Sequence, residues 1–291
     1  MEIRSLGAGA GDVTCVGFGG MPLSTAGRPD AAESVRVLHA ALDAGMTLID
    51  TADVYCLDDD DIGHNERLVA RALREWSGDS DAIVVATKGG LIRPAGRWES
   101  DARPEHLRSA CEASLVALGV DTIDLYQLHA PDQRVPLEES VGALADLHVE
   151  GKIRAVGLSN VTVDQIQRAS AIVPVASVQN RLSPFFREAL QEGVVEHTNR
   201  EGMGFLAYSP VGGGRLNRKL PDHPVVSAIS RSRDVSAHAV VLAWVLGRAP
   251  NVIVIPGART VAHTLDSVAA ANIALTEEED RAIERAEFST A

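Results

Sequence analysis

The feature of this chain that most limits its fold is a regular alternation of short apolar segments with helical segments. Eight runs are predicted strands, and most have the continuous apolar centre that is typical of parallel strands covered on both faces. These runs are 13–19, 46–52, 82–89, 123–130, 153–160, 175–180, 204–210 and 252–258. Between them, segments such as 30–45 and 103–120 show helical periodicity, with N-cap or early proline residues and a closing glycine.

The repeated strand–helix unit limits the topology further. Parallel strands joined by helices require right-handed crossovers. Eight such units predict an α/β fold, a (β/α)8 TIM barrel, and a doubly wound open sheet is the alternative. No linker or low-complexity segment divides the 291 residues, so residues 1–291 are expected to form a single domain. Residues 1–11 precede the first predicted strand and are predicted to form a short hairpin across the barrel floor.

Composition excludes several classes of partner. The net charge of −13 argues against nucleic acid and anionic membrane, because both require basic patches. The three cysteines are far apart and form no C-x-x-C pair, which favours reduced thiols in a cytoplasmic protein. No segment has the pattern of a signal peptide or a membrane span. We expect a monomer or a weak homo-oligomer.

Polar residues follow the ends of successive apolar runs. Asp50, Lys88 and His129 end three neighbouring predicted strands, and Tyr55 lies just beyond the first of them. Taken singly, each has an ordinary structural interpretation as a helix cap, a solvated charge or a buried structural histidine. In a barrel, however, the carboxyl ends of all strands meet at one mouth, where active sites lie. Their joint placement therefore predicts a catalytic site.

These residue types together predict a proton donor. A free tyrosine has a pKa of about 10, so it donates poorly to a carbonyl at neutral pH. The Lys88 ammonium favours the tyrosinate form of Tyr55 and is expected to lower its pKa. Asp50 is expected to hold Lys88 charged through an ion pair. His129 is expected to hydrogen-bond the substrate oxygen or to help relay the proton. The set contains no nucleophile and no metal site.

An ordered series of motifs adds a resemblance. LIDTADVY, VVATKGG, LYQLHAPD, RAVGLSN, VQN, AYSP and VIPGAR resemble the signatures of the aldo-keto reductase superfamily, bacterial NADPH-dependent reductases among them. The resemblance runs from Gly17 to about Asn272 and implies the catalytic tetrad Asp50, Tyr55, Lys88 and His129. It implies that NADPH reduces an aldehyde or ketone to the alcohol by hydride transfer, with Tyr55 as the proton donor. The alternative is an NADPH-binding redox-sensing or regulatory subunit. A hydrolase lacks support, because no paired carboxylates or metal cluster accompany the strand ends.

The resemblance also implies an extended NADPH without a G-x-G-x-x-G loop, with the glycines of 17–20 allowing the cofactor to approach the backbone. The implied cofactor contacts are Gly20, Met21, Asp50, Ser159, Asn160, Gln179, Tyr208, Ser209, Pro210, Val211, Gly212, Pro256, Gly257, Arg259, His263, Asp266 and Ser267. Ser159, Asn160 and Gln179 would hold the carboxamide, and Tyr208 would stack on the nicotinamide. Residues 209–212 would line the pyrophosphate path, and the segment from Val211 to Arg215 would form a belt over it.

Three segments are particular to this chain. Arg259 is retained and can pair with a 2′-phosphate. The later positions, His263, Asp266 and Ser267, depart from the residues that the family commonly has there, so weaker or less selective NADPH binding is expected. The four aspartates 58–61 form either a solvated acidic loop or a pocket rim that disfavours anionic substrates. Trp98 is either a loop anchor or part of the substrate wall, which gives Tyr55, Trp98 and His129 as the predicted substrate contacts.

Overall fold

The chain forms a closed barrel of parallel strands surrounded by helices. The computed structural model describes all residues, 1–291. Its strands are β1 (Ile3–Ser5), β2 (Asp12–Thr14), β3 (Phe18–Gly19), β4 (Leu48–Asp50), β5 (Val84–Gly89), β6 (Leu91–Ile92), β7 (Glu99–Ser100), β8 (Ile123–Leu128), β9 (Ile153–Ser159), β10 (Val175–Arg181), β11 (Gly204–Tyr208) and β12 (Val252–Val254).

The helices follow the strands around the outside of the barrel. They are α1 (Ala31–Asp43), α2 (His64–Glu75), α3 (Pro104–Leu118), α4 (Leu137–Val149), α5 (Val163–Ser170), α6 (Glu188–Gln191), α7 (Val194–Arg200), α8 (Gly213–Leu216), α9 (Pro224–Arg233), α10 (Ala237–Leu246), α11 (Val261–Ala269) and α12 (Glu277–Arg285). Short 3₁₀ turns span Met21–Leu23, Asp59–Asp61, Ser80–Ala82, Pro94–Gly96, Asn217–Lys219 and Ala270–Asn272. None of the helices combines the length and apolarity that crossing a bilayer requires.

The strand order confirms the predicted TIM barrel. The eight-stranded sheet runs β3–β4–β5–β8–β9–β10–β11–β12, and every neighbouring pair is parallel. Its two edges meet where Val16 pairs with Val254 and the Gly17 amide donates to the Val254 carbonyl at 2.9 Å. Closure brings all carboxyl ends of the strands to one mouth.

Local sequence signals explain where the helices begin and end. Asp30 caps α1 by accepting a hydrogen bond from the Glu33 amide at 2.8 Å. Pro104 occupies the first turn of α3, and Gly119 ends that helix with φ +70°. Thr162 opens α5 with a capping box. The starts of α1, α3 and α5 therefore mark where the loops that follow barrel strands end.

The predicted N-terminal hairpin is confirmed, and it takes residues from the first predicted barrel strand. Residues 12–14 form β2 and pair antiparallel with β1, so only Phe18–Gly19 joins the barrel sheet. Leu6, Ala10 and Val13 pack with the inward side chains of the barrel strands. The hairpin therefore closes the barrel floor, at the opposite end from the mouth. Val13 and Thr14 run without a break into the apolar segment 15–19, which is why sequence alone merged the two strands.

The hairpin turn gives a test of this floor. A Cβ at Gly7 would lie 2.2 Å from the Ala176 carbonyl oxygen, whereas one at Gly9 would lie 3.6 Å from its nearest atom. Both glycines have positive φ, so an alanine at either position carries a strain of about 1–2 kcal/mol. We expect Gly7→Ala to lower Tm by several degrees more than Gly9→Ala, because only the methyl group added at position 7 must also displace the backbone at Ala176. Equal shifts in thermal denaturation would contradict this packing.

Candidate active site

Four predicted residues meet at the barrel mouth. Asp50 ends β4, Lys88 lies near the end of β5, His129 follows β8, and Tyr55 lies on the loop after β4. The Lys88 Nζ lies 2.7 Å from Asp50 Oδ2 and 2.9 Å from Tyr55 Oη. It also donates to the Thr51 carbonyl at 2.9 Å. All four tetrad side chains are buried, and Lys88 has no exposed surface.

The ammonium group of Lys88 is charged although it is buried. Burial alone lowers the pKa of Lys88, but the Asp50 carboxylate and the Tyr55 hydroxyl more than offset this effect, and the net pKa is raised. The predicted ion pair between Asp50 and Lys88 is therefore present in the structure. A charged lysine lies against the tyrosine hydroxyl at neutral pH.

Tyr55 differs from the expectation in the net direction of its pKa. Burial raises the pKa of Tyr55 to about 12, although the neighbouring Lys88 ammonium acts in the lowering direction. The expected net lowering was wrong, because a sequence shows which charges lie near a residue but not how completely that residue is removed from water. Tyr55 therefore carries its proton throughout the neutral range.

His129 is the third side chain of the substrate-facing surface. Burial lowers its pKa well below the ordinary value, and the Lys88 charge lowers it further. The imidazole is consequently neutral at pH 7. Its Nδ1 is buried without a hydrogen-bond partner, and its ring lies edge-on to the Tyr55 ring with centroids 5.8 Å apart.

Trp98 completes an aromatic enclosure with these two residues. Its ring centroid lies 6.4 Å from that of Tyr55 and 6.4 Å from that of His129, with edge-on geometry in both pairs. The side chain is 46% exposed, so one part of the indole faces solvent at the mouth. The three predicted substrate contacts are thus brought together by the fold.

A glutamine pair beneath the tetrad includes a residue that the sequence analysis missed. Gln179 Nε2 donates to Asp50 Oδ1 at 2.7 Å and to Gln127 Oε1 at 3.2 Å. Gln127 Nε2 lies 3.3 Å from the same Asp50 oxygen. These amides satisfy the Asp50 oxygen that Lys88 leaves free. A glutamine inside the apolar run IDLYQL was the available signal for Gln127.

A second buried acidic group lies behind the tetrad. Burial, with the nearby Glu66 carboxylate, raises the pKa of Asp53 well above its ordinary value. Burial also raises the pKa of Glu66, whose Oε1 accepts a 2.6 Å hydrogen bond from the Thr87 hydroxyl. Neither residue was identified from sequence. The motif LIDTADVY contains Asp53, but only the fold reveals that its carboxyl group is buried.

A line of polar groups leads from His129 along the mouth through Asn160 to Tyr208. Asn160 adopts the left-handed conformation with φ +59° and donates from Nδ2 to the His129 carbonyl at 3.0 Å and to Ser159 Oγ at 3.1 Å. Its Oδ1 accepts the Tyr208 hydroxyl at 2.8 Å. A non-glycine residue held at positive φ is uncommon and occurs at functional sites. The predicted carboxamide and ring-stacking residues are therefore neighbours.

The loop after β11 continues this line with unusual backbone geometry. Ser209 has φ +48°, and Gly212 and Gly213 have φ +88° and +74°. The remaining predicted cofactor residues of this group also lie beyond the ends of barrel strands: Met21 after β3, Pro210 and Val211 after β11, and Pro256 and Gly257 after β12. The Gly212 amide donates to the Ser209 carbonyl at 2.8 Å, so the predicted phosphate path runs past a closed turn whose glycines let a ligand approach the backbone.

The glycines of 17–20 are required by packing within the chain. A Cβ at Gly19 would lie 2.6 Å from the Ile255 carbonyl oxygen, and one at Gly20 would lie 2.3 Å from Asn65 Oδ1. Asn65 in turn donates to the Gly20 carbonyl at 2.9 Å. Their small size thus lets β3 and β12 close the barrel, which is a structural reason for glycine in addition to the expected approach of a cofactor.

The residues predicted for the adenosine end are arranged around α11. The Arg259 guanidinium donates to the carbonyls of Pro22 and Ala26, at 3.1 and 2.7 Å, and has no carboxylate partner. Asp266 accepts a 2.7 Å hydrogen bond from Ser236, the N-cap of α10. The Ser267 hydroxyl bonds within the helix to the His263 carbonyl, at 3.0 Å. The positive charge of Arg259 is therefore not neutralised by a carboxylate of the chain.

The acidic segment 58–61 packs beside the Trp98 loop. Asp61 forms an ion pair with Arg28, and the 3₁₀ turn Asp59–Asp61 contacts the turn Pro94–Gly96. Hydrogen bonding to Arg28 lowers the pKa of Asp61 despite the opposing effect of burial. One of the four carboxylates is therefore neutralised within the chain, whereas Asp59 and Asp60 are exposed.

Comparison with known proteins agrees with this geometry. A sequence profile described as the aldo/keto reductase family matches residues 15–287. The chain belongs to the aldo/keto reductase family. Membership makes the protein an NAD(P)-dependent oxidoreductase. An uncharacterized oxidoreductase of Schizosaccharomyces pombe is 35% identical over 91% of this chain and 84% of its own length.

Solved structures show the same fold. The glycerol dehydrogenase of Gluconobacter oxydans superposes with a TM-score of 0.83 at 31% identity, covering 97% of this chain and 93% of its own. An aldo-keto reductase from Klebsiella pneumoniae in complex with NADPH gives a TM-score of 0.82 at 27% identity, covering 98% of this chain and 95% of its own. The resemblance stated from the motifs is confirmed at the level of the family and the barrel.

Proposed function

We propose that this aldo/keto reductase family protein uses NADPH to reduce an aldehyde or ketone to the alcohol, with Tyr55 as the proton donor. The observation that carries the proposal is the contact of the charged, fully buried Lys88 ammonium with Tyr55 Oη, at 2.9 Å. No other tyrosine hydroxyl of the chain contacts a lysine. The direct test is NADPH oxidation measured against a panel of neutral and charged aldehydes and ketones.

The pKa of Tyr55 fits the role of an acid that is regenerated after each turnover. A pKa of about 12 keeps the proton on the hydroxyl until a carbonyl oxygen gains negative charge. Once the proton has moved, the Lys88 ammonium stabilises the phenolate across the 2.9 Å contact. Asp50 keeps that ammonium charged and oriented. Lys88 thus lowers the cost of losing the proton without removing the proton in advance.

His129 is assigned the role of a neutral hydrogen-bond donor to the substrate oxygen. Its lowered pKa makes it a poor source of a proton at pH 7, which favours orientation over proton relay. Because Nδ1 is buried, Nε2 is the nitrogen available to the substrate. The carbonyl oxygen would lie between this nitrogen and Tyr55 Oη, and Trp98 would contact the rest of the substrate.

The residues along the mouth fit an extended dinucleotide. When bound, the cofactor supplies the hydride that reduces the carbonyl carbon. Asn160, fixed at positive φ beside Tyr208, would hold the carboxamide with Ser159 and Gln179. The positive-φ loop 209–213 would accommodate the pyrophosphate. Arg259, which lacks a carboxylate partner, would meet the 2′-phosphate, with His263, Asp266 and Ser267 near the adenosine.

The assignment of Arg259 predicts a selective loss of affinity. We expect Arg259→Ala to raise the Kd for NADPH by about tenfold or more and to leave the Kd for NADH nearly unchanged, because a bidentate guanidinium–phosphate contact is lost only in the first case. Fluorescence titration with both cofactors measures this. The matched control is Arg215→Ala, on the belt rather than at the 2′-phosphate. Equal losses for NADPH and NADH in Arg259→Ala would contradict the assignment.

A further inference from the structure

Arg93 is a buried cation beside the aromatic enclosure of Tyr55, His129 and Trp98. It follows β6, and its guanidinium carbon lies 3.9 Å from the centroid of the Trp98 ring. Arg93 is only 7% exposed, whereas Trp98 is 46% exposed. The guanidinium therefore lies on the buried side of the indole, behind the part of Trp98 that faces solvent.

The polar contacts of Arg93 are few for a buried cation. Its Nη2 donates to the Leu57 carbonyl at 2.8 Å, while Nε and Nη1 are buried without partners. No carboxylate forms an ion pair with it. Burying an unpaired charge is costly. The Trp98 π-face is therefore a main source of stabilisation, since a desolvated cation–π contact is the strongest kind.

The backbone of the hairpin places the two side chains together. Ile92 pairs with Glu99 in the antiparallel β6–β7 ladder, so Arg93 and Trp98 are the next residues towards the turn on opposite strands. Ala95 and Gly96 reverse the chain with φ +48° and +78°. The Arg93–Leu57 hydrogen bond then ties this hairpin to the loop that follows Tyr55.

We propose that Arg93 is a positioning residue that sets substrate affinity by holding Trp98 against Tyr55 and His129. The inference rests on the proposed function only in treating this enclosure as the carbonyl pocket. Arg93 does not touch the substrate. It holds the indole ring of Trp98 from the buried side. Its hydrogen bond to the Leu57 carbonyl keeps the hairpin that carries Trp98 beside the loop that carries Tyr55.

The first test separates substrate binding from chemistry. Arg93→Met keeps much of the side-chain volume but removes the cation and the hydrogen bond to Leu57. We expect KM for the best carbonyl substrate to rise about 3- to 30-fold, the range of one cation–π contact, with kcat and the Kd for NADPH nearly unchanged. Arg93→Lys, which retains charge without a planar group, should recover part of the affinity. Arg97→Met is the matched control, because Arg97 is exposed and pairs with Glu99, and its KM should stay at the wild-type value.

The second test asks whether Arg93 acts through Trp98. In a double-mutant cycle, Arg93→Met should have no further effect on KM once Trp98 is replaced by alanine. An equal KM increase in both backgrounds, or no increase in the wild-type background, overturns the proposal.

A third measurement is independent of turnover. The emission lost in Trp98→Phe defines the Trp98 component, and its quenching by acrylamide should rise in Arg93→Met as the ring is released. Unchanged quenching would overturn the inference even if Tyr55 is the proton donor. If instead Tyr55→Phe keeps full activity while quenching rises, the proposed function fails and the positioning of Trp98 by Arg93 stands.

Discussion

Replacing Tyr55 with phenylalanine is expected to lower kcat for carbonyl reduction by about 10²–10⁴, the usual contribution of a positioned general acid. The change removes one oxygen and leaves the ring, so the packing against Trp98 and His129 is retained. The Kd for NADPH should change little, because Tyr55 Oη contacts Lys88 rather than the residues predicted to bind the cofactor. Single-turnover NADPH oxidation with a saturating carbonyl measures the chemical step directly.

The chain offers a matched control for this substitution. Tyr126 is buried like Tyr55, but it lies in β8 and its hydroxyl makes one long hydrogen bond, 3.4 Å, to the Leu107 carbonyl. Tyr126→Phe removes the same atom from a buried site without touching Lys88, so kcat should stay close to the wild-type value. Near-normal turnover in Tyr55→Phe, or an equal loss in Tyr126→Phe, would overturn the assignment of Tyr55 as proton donor.

The order of the elements and the location of the site were readable from the sequence because both depend on periodicity. Apolar runs mark buried parallel strands, and a barrel necessarily brings their carboxyl ends together. This placed Asp50, Lys88 and His129 in one pocket. The boundary between β2 and β3 was not readable, since Val13 and Thr14 of the hairpin continue directly into the apolar segment that leads to β3, and only long-range pairing separates the two strands.

The electrostatic properties of the site were harder to predict from the sequence, because they depend on how deeply each residue is buried. The sequence supplied Lys88 as a cation near Tyr55, and the individual effect of that cation was predicted correctly. It did not reveal the desolvation that raises the pKa of Tyr55 to about 12. The same limit applies to Arg93 and Asp53, which have ordinary residue types for exposed loops and become unusual only through the surfaces that cover them.

Removing Lys88 is expected to damage both folding and catalysis, and the two effects can be separated. Lys88→Met leaves the Asp50 carboxylate, on a residue only 2% exposed, without a cation. Breaking a buried ion pair on one side costs about 3–5 kcal/mol. The free energy of unfolding from urea denaturation should fall by this amount, and kcat should fall with it, since nothing then stabilises the phenolate of Tyr55.

The double variant Asp50→Asn/Lys88→Met distinguishes the two contributions. It replaces both charges, so no uncompensated charge remains buried, and most of the lost stability should return. The asparagine introduced at position 50 would still interact with the amide pair Gln127–Gln179, but kcat should remain low because the ammonium is absent. Recovery of activity together with stability would show that Lys88 acts only in folding.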